Sequence, residues 1–265
     1  MAPPQAAVKN TPSLAPREHG AYSQLVAPVV AALLAKPPSL AGLCFACAFV
    51  SAFYAHEPWL IILGQRGART ERAFAEPARR RLLALASVAA LFGIVGLLMA
   101  NPVARASAVG VGLLAILTAL LGKLKQLHSA VGEVWAGVVF ASLSIPISLS
   151  SNMSPSSAIS IAIAWALSFG SGVFAVRAVI ARKRTGKRGK GSWGIFAVLL
   201  LQALESRWAI GPALAVLPLT LASLVIIGIV PAPKHLRKIG WALVVLTAIS
   251  AFLIVVTARV SWFQA

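Results

Sequence analysis

The chain contains no aspartate, and its six acids are all glutamate: Glu18, Glu57, Glu71, Glu76, Glu133 and Glu205. Cysteine is almost absent too. The two that occur, Cys44 and Cys47, form CFAC inside an apolar run. That number excludes a disulfide framework, and without a soluble redox fold around them they read as small apolar helix residues. Among the four histidines and six glutamates no HxxE, HxxH or ExxH spacing occurs, so no zinc signature is present. Period-2 alternation is missing as well, which excludes a transmembrane β-barrel. Charge is scarce, at 11% of residues, whereas 59% are hydrophobic. A soluble domain could not hide that much apolar surface.

What is present is a series of long apolar runs, at about 21–36, 40–63, 82–100, 103–122, 130–149, 158–180, 192–208, 209–230 and 237–258. Most approach the ~20 residues that a helix needs to cross a bilayer. Backbone cannot be left unpaired in lipid, so the runs are helices. The expectation is an all-α polytopic membrane protein, a single bundle of about nine transmembrane helices over 17–265. Residues 1–16, rich in Pro and Ala without an apolar core, read as a disordered tail and not as a signal peptide.

The basic residues test that count. Nine spans place Lys9, Arg17, the six of segment 64–81, Lys123, Lys125, the seven from Arg177 to Lys190, Lys234, Arg237 and Lys238 on one face. Only Lys36, Arg105, Arg207 and Arg259 fall on the other. The positive-inside rule makes the crowded face cytoplasmic, with the N-terminus inside and the C-terminus outside. The net charge of +18 therefore reports orientation and attraction to anionic lipid headgroups, with no nucleic-acid partner.

On this topology every histidine and five of the six glutamates lie at cytoplasmic helix ends or loops. PREHGAY opens the first span with Arg17, Glu18 and His19; AHEPW closes the second with His56 and Glu57. GKLKQLHSAVGEVWAG joins the fourth and fifth with Lys125, His128 and Glu133. Ionisable groups at membrane depth are expensive and are functional candidates by default. Simpler roles stand beside that one. Glu18 suits the positive end of a helix dipole, and an interhelical hydrogen bond accounts for Glu133 as well as a ligand role does. Glu57 is the less comfortable case, because a helix C-terminus disfavours a negative charge and Pro58 should break or kink the helix there. A metal site would draw on His19, His56 and Glu57, and requires those helix ends to converge. Two basic, Gly-containing segments, GQRGARTERAFAEPARRR and VRAVIARKRTGKRGKGSWG, follow the second and sixth spans and hint at a duplicated half. Their arginines, including Arg66, Arg69, Arg177 and Arg182, suit phosphate groups.

PREHGAYSQLVAP, FYAHEPWLIILGQRGAR and the basic segment near residue 180 resemble the YwiC-like family of bacterial membrane proteins, which implies a bacterial inner-membrane location. More distantly, nine spans with large cytoplasmic loops after the second and sixth are similar to the UbiA superfamily of intramembrane prenyltransferases. KLKQLHSAVGEVWAGVVFA also resembles the Lys-containing turn and following helix of that superfamily. The resemblance implies two Asp-rich cytoplasmic motifs holding magnesium and an isoprenyl diphosphate. Here His56, Glu57 and GQRGAR replace the first motif, and Arg177, Arg182, Lys183 and Arg184 replace the second. Magnesium is held by carboxylates and phosphates, so a chain without Asp is not expected to run the standard chemistry.

The reading favoured by these residues is a UbiA-like cavity binding an amphiphilic lipid, such as an isoprenoid, a quinone or another lipid with an anionic head. Arg17, Arg66, Arg69, Lys125, His128, Arg177 and Arg182 would receive the head, and Glu18, His19, His56, Glu57 and Glu133 are the candidates for proton exchange. A proton-coupled transporter and an assembly partner of a larger membrane complex are the alternatives.

Overall fold

The computed structural model describes Leu14 and residues 19–123, 129–185, 192–207 and 209–262. Among these residues there is no strand. The helices are α1 (His19–Ala35), α2 (Leu40–Ile62), α3 (Ala68–Met99), α4 (Pro102–Lys123), α5 (Ala130–Ser142), α6 (Ser144–Ser150), α7 (Pro155–Thr185), α8 (Ser192–Ser206), α9 (Ile210–Ile229) and α10 (Leu236–Trp262). Eight of the nine expected spans are single helices, and the expected span 130–149 is α5 and α6 in succession. Seven of the nine are long and apolar enough to cross a membrane. The exceptions, α1 and α8, have 17 and 15 residues. The chain is an integral membrane protein.

Three differences from expectation have physical causes. First, α2 runs through Pro58 to Ile62 and ends only at LGQRG, where Gly64 and Gly67 take φ of +69° and +94°. In a packed membrane helix the carbonyl that proline leaves unpaired is tolerated, whereas left-handed backbone demands glycine. Secondly, most of the segment expected as a loop after span two is the start of α3. Its 32 residues reach about 48 Å against a hydrocarbon core of ~30 Å. Thirdly, the fifth span breaks at Leu143. Pro146 cannot donate to the Ser142 carbonyl one turn earlier, and the break is sealed by serine. The Ser142 and Ser144 hydroxyls donate to the Val139 and Ala141 carbonyls, each at 2.7 Å.

The core lies among α1, α2, α4, α5, α6, α7, α9 and α10, around Leu25, Phe45, Ile147, Trp165, Val216 and Ile254. Since lipid is as apolar as leucine, helices join where small residues let backbones approach. Ala31, Ala104, Ala158 and Ala164 are fully buried in this way. Outside the core, α3 packs on α2 and both α3 and α4 turn leucine and isoleucine outward, as at Leu91, Ile94, Leu113 and Ile116.

Three of the four cations assigned to the sparsely charged face are bound to backbone. Lys36 Nζ donates to the Asn152 carbonyl at 2.8 Å, and Arg259 Nε to the Leu34 carbonyl at 2.9 Å. Arg105 reaches the Leu97 and Ala100 carbonyls at 2.8 and 3.2 Å. Leu34 and Leu97 lie in last helical turns, where carbonyls lack partners and the dipole is negative.

One contact sets the α2–α3 spacing. A Cβ on Gly96 would lie 2.8 Å from two carbons of the Phe45 ring, and that ring is buried. At Gly112 on α4 a Cβ would meet nothing within 4 Å. Gly96→Leu is expected to destabilise the protein by about 1–3 kcal/mol through overpacking, and Gly112→Leu to leave the melting temperature in detergent nearly unchanged. Equal midpoints for the two variants would refute this account of the hairpin.

Candidate functional site

The penultimate turn of α2 buries Glu57, with 1% of its side chain exposed. Beyond the helix the left-handed Gly64 reverses the chain, so that Arg66, nine residues after Glu57, returns onto the carboxylate. Arg66 Nε donates to Glu57 Oε1 at 2.8 Å and Nη2 to Oε2 at 2.6 Å, a two-pronged pair. Charge-assisted bonds of this geometry are the strong ones, and they explain how a carboxylate is accommodated at a helix C-terminus. The Arg66 side chain remains 22% exposed. Gly64 is fixed twice over, by its φ and because a Cβ there would stand 2.8 Å from Glu71 Oε2. Next to it, the Gln65 amide donates to the Gly122 carbonyl and ties the end of α4 to the turn.

Aromatic rings bring the start of α1 to this place. Tyr22 meets Phe53 edge-on at 5.2 Å and Tyr54 at 6.0 Å, and Phe53 meets Phe140 of α5 at 5.7 Å. Such pairs contribute about 0.5–1.5 kcal/mol beyond their buried area. Glu57 and Arg81 lie within electrostatic reach of the Tyr22 hydroxyl. The Trp59 indole N–H is buried with no acceptor among the described residues.

Glu133 and Arg177 form a second pair, joining the first turn of α5 to α7 at 2.9 Å. Both are more than a third exposed, so this link is the weaker of the two. Arg182, one turn on, donates to the carbonyl of Val230, the left-handed residue that ends α9. Its role is that of a helix cap. Arg69 stands exposed in the first turn of α3.

The sequence assigned Glu57 to proton exchange and Arg66 to anion binding; the structure makes them one unit, and it does the same for Glu133 and Arg177. His56, half-buried, adjoins Glu57 in sequence, and consecutive helical residues point about 100° apart. The AHEP turn and the beginning of α1 do come together. Arg17, Glu18, Lys125 and His128 lie outside the described residues, and the helix includes His19 without its side chain being described. Tyr22, Trp59 and Arg81 were missed by sequence reasoning. The signal for the Glu57–Arg66 pair was the GQRG turn, whose glycines allow a tight reversal.

Among the described residues no three His, Cys, Asp or Glu side chains gather as metal ligands. Both oxygens of Glu57 accept from Arg66. With no aspartate anywhere in the chain, this donor set does not fit the magnesium of the resembled prenyltransferases.

The two ion pairs should differ in strength. A double-mutant cycle with Glu57→Gln and Arg66→Gln, read by thermal unfolding in detergent, is expected to give a coupling of about 2 kcal/mol, and the Glu133–Arg177 cycle less than about 1 kcal/mol. Equal couplings would mean that burial of Glu57 adds nothing to its pair.

Among known proteins, no curated sequence and no solved structure matches the chain. A protein-family comparison does, over residues 15–149, with the family described as YwiC-like protein. The match spans α1 to α5 and nearly all of α6, including the Glu57–Arg66 turn and Glu133. It covers just over half of the sequence, and the chain belongs to the YwiC-like family.

Proposed function

We propose that this membrane protein binds an amphiphilic lipid with an anionic head, held at the end of the bundle where α2, α7 and α9 terminate and α3 and α5 begin. The observation that carries this reading is the placement of Arg66 and Arg177. Each is oriented by a carboxylate, and their side chains remain 22% and 37% exposed. A guanidinium has five N–H donors and suits phosphate geometry, so one held by a carboxylate can still receive an oxyanion. Exposed Arg69, Arg72, Arg79, Lys123 and Arg237 surround them in sequence or at the same end of neighbouring helices. Isoprenyl phosphates and acidic phospholipids fall within this class. In this reading the charged end faces the cytoplasm in a bacterial inner membrane.

The broken α5–α6 span is the feature that would favour transport. Its Ser142 and Ser144 hydroxyls, however, donate to their own helix. They are spent on sealing backbone, and the amphiphile reading is preferred.

Native mass spectrometry of detergent-extracted protein tests the headgroup. Phosphatidylglycerol is expected to be retained over phosphatidylcholine by roughly tenfold, with the preference falling in salt and in Arg69→Gln/Arg177→Gln. Equal retention of both lipids would remove the proposal. For the orientation, alkaline phosphatase fused at the C-terminus should be active and a fluorescent protein there dark; the opposite pattern would reverse it.

A further inference from the structure

Below the GQRG turn, α2, α3 and α4 leave space between them. Although Ala100 and Asn101 alone join α3 to α4, those two helices barely touch: α3 leans on α2, and α4 leans chiefly on α5 and α6. The result is a cleft of about 210 Å³ open towards the lipid side. Phe45, Phe49 and Ala52 form its floor, with Gly93 on one wall and Gly112 and Ala115 on the other. Small residues keep it open: a Cβ on Gly93 would meet only the Ala48 methyl, at 4.0 Å, and one on Gly112 would meet nothing within that distance.

We propose that this cleft is the lateral site for the hydrocarbon chain of a bound anionic amphiphile. The inference rests on the headgroup proposal and adds the place of the tail. The lining is almost wholly apolar, so the cleft does not suit water. Its volume also selects the occupant. A helix with its side chains is ~10–12 Å across and cannot enter 210 Å³, whereas part of one chain can.

Charge at the mouth complements an anionic head. Moving along α3 from Ala89, a lining residue, eight residues lead to Arg81; along α4 eight lead from Ala115 to Lys123. Both distances are about 12 Å at the helical rise. On α2 five residues lead from Ala52 to Glu57, which is already paired with Arg66. An amphiphile whose head lies at the Arg66 end of the proposed site, where the Gln65–Gly122 bond brings the end of α4 and Lys123, therefore passes its first ~12 Å of chain along the helices before reaching the cleft.

The test uses the full chain, delipidated in detergent and loaded with phosphatidylglycerol bearing a diazirine midway along one acyl chain. Gly93→Leu and Gly112→Leu put side chains into the cleft at positions where a Cβ would stand no closer than 4.0 Å to a neighbour. Gly110→Leu, equally free of neighbours and exposed, serves as the control. Photolabel is expected on peptides from α2, α3 and α4, and to fall about tenfold in either filling variant, the loss that accompanies roughly two methylenes leaving the site. The control is expected to label as the wild type does, and retained phosphatidylglycerol should weaken in the same order. Should lipid be retained with its label elsewhere, or unchanged in the filled variants, the tail site is overturned and the headgroup reading survives. Loss of all preference for anionic lipid overturns both. A dimer that Gly112→Leu dissociates, with no chain label in the cleft, would assign the cleft to a second copy and overturn the proposal.

Discussion

Inside a bilayer, a polar group that lacks a partner in the protein has no water to turn to, and this one constraint organises the molecule at three depths. At the sparsely charged end it draws Lys36, Arg105 and Arg259 onto helix-end carbonyls. In the middle it turns serine hydroxyls back onto the carbonyls around a broken span. At the charged end it joins Glu57 to Arg66 with two bonds across a glycine turn. The same requirement that fixes the fold thus prepares a set of oriented cations at one end. The proposed lipid binding uses side chains that folding had already positioned.

Fold class was legible in the sequence because it depends on composition and run length, and both survive without tertiary information. Eight of nine runs became single helices, seven with shifts of a few residues at their ends and α3 with a start 14 residues earlier. The split at Leu143 was less visible, since an apolar run through SLSIPIS keeps its hydropathy while losing a backbone donor at Pro146. At Pro58 the apolar run over 40–63 and the proline pointed different ways, and the run prevailed: α2 continues for another turn and ends just before Gly64.

The candidate residues were found more readily than their relationships. Ionisable groups are so few that listing them located the charged end, yet spacing along the chain does not tell which acid meets which base. Arg66 returns to Glu57 through the positive φ of Gly64, and Arg177 meets Glu133 from a different helix altogether. Pairing changes the chemistry of both partners. A carboxylate whose two oxygens accept from arginine is a poor magnesium ligand.

The α2–α3 hairpin has a mechanical consequence. Among the described helices α3 has α2 as its one substantial neighbour, while a two-residue turn tethers its far end to α4. α3 packs on α2 along its length and turns its other face to lipid, so its separation from α4 is held through α2 and the Ala100–Asn101 turn, with few contacts between the two helices themselves. A span with so much of its surface in lipid meets the thickness of the bilayer more directly than the core around Trp165 does.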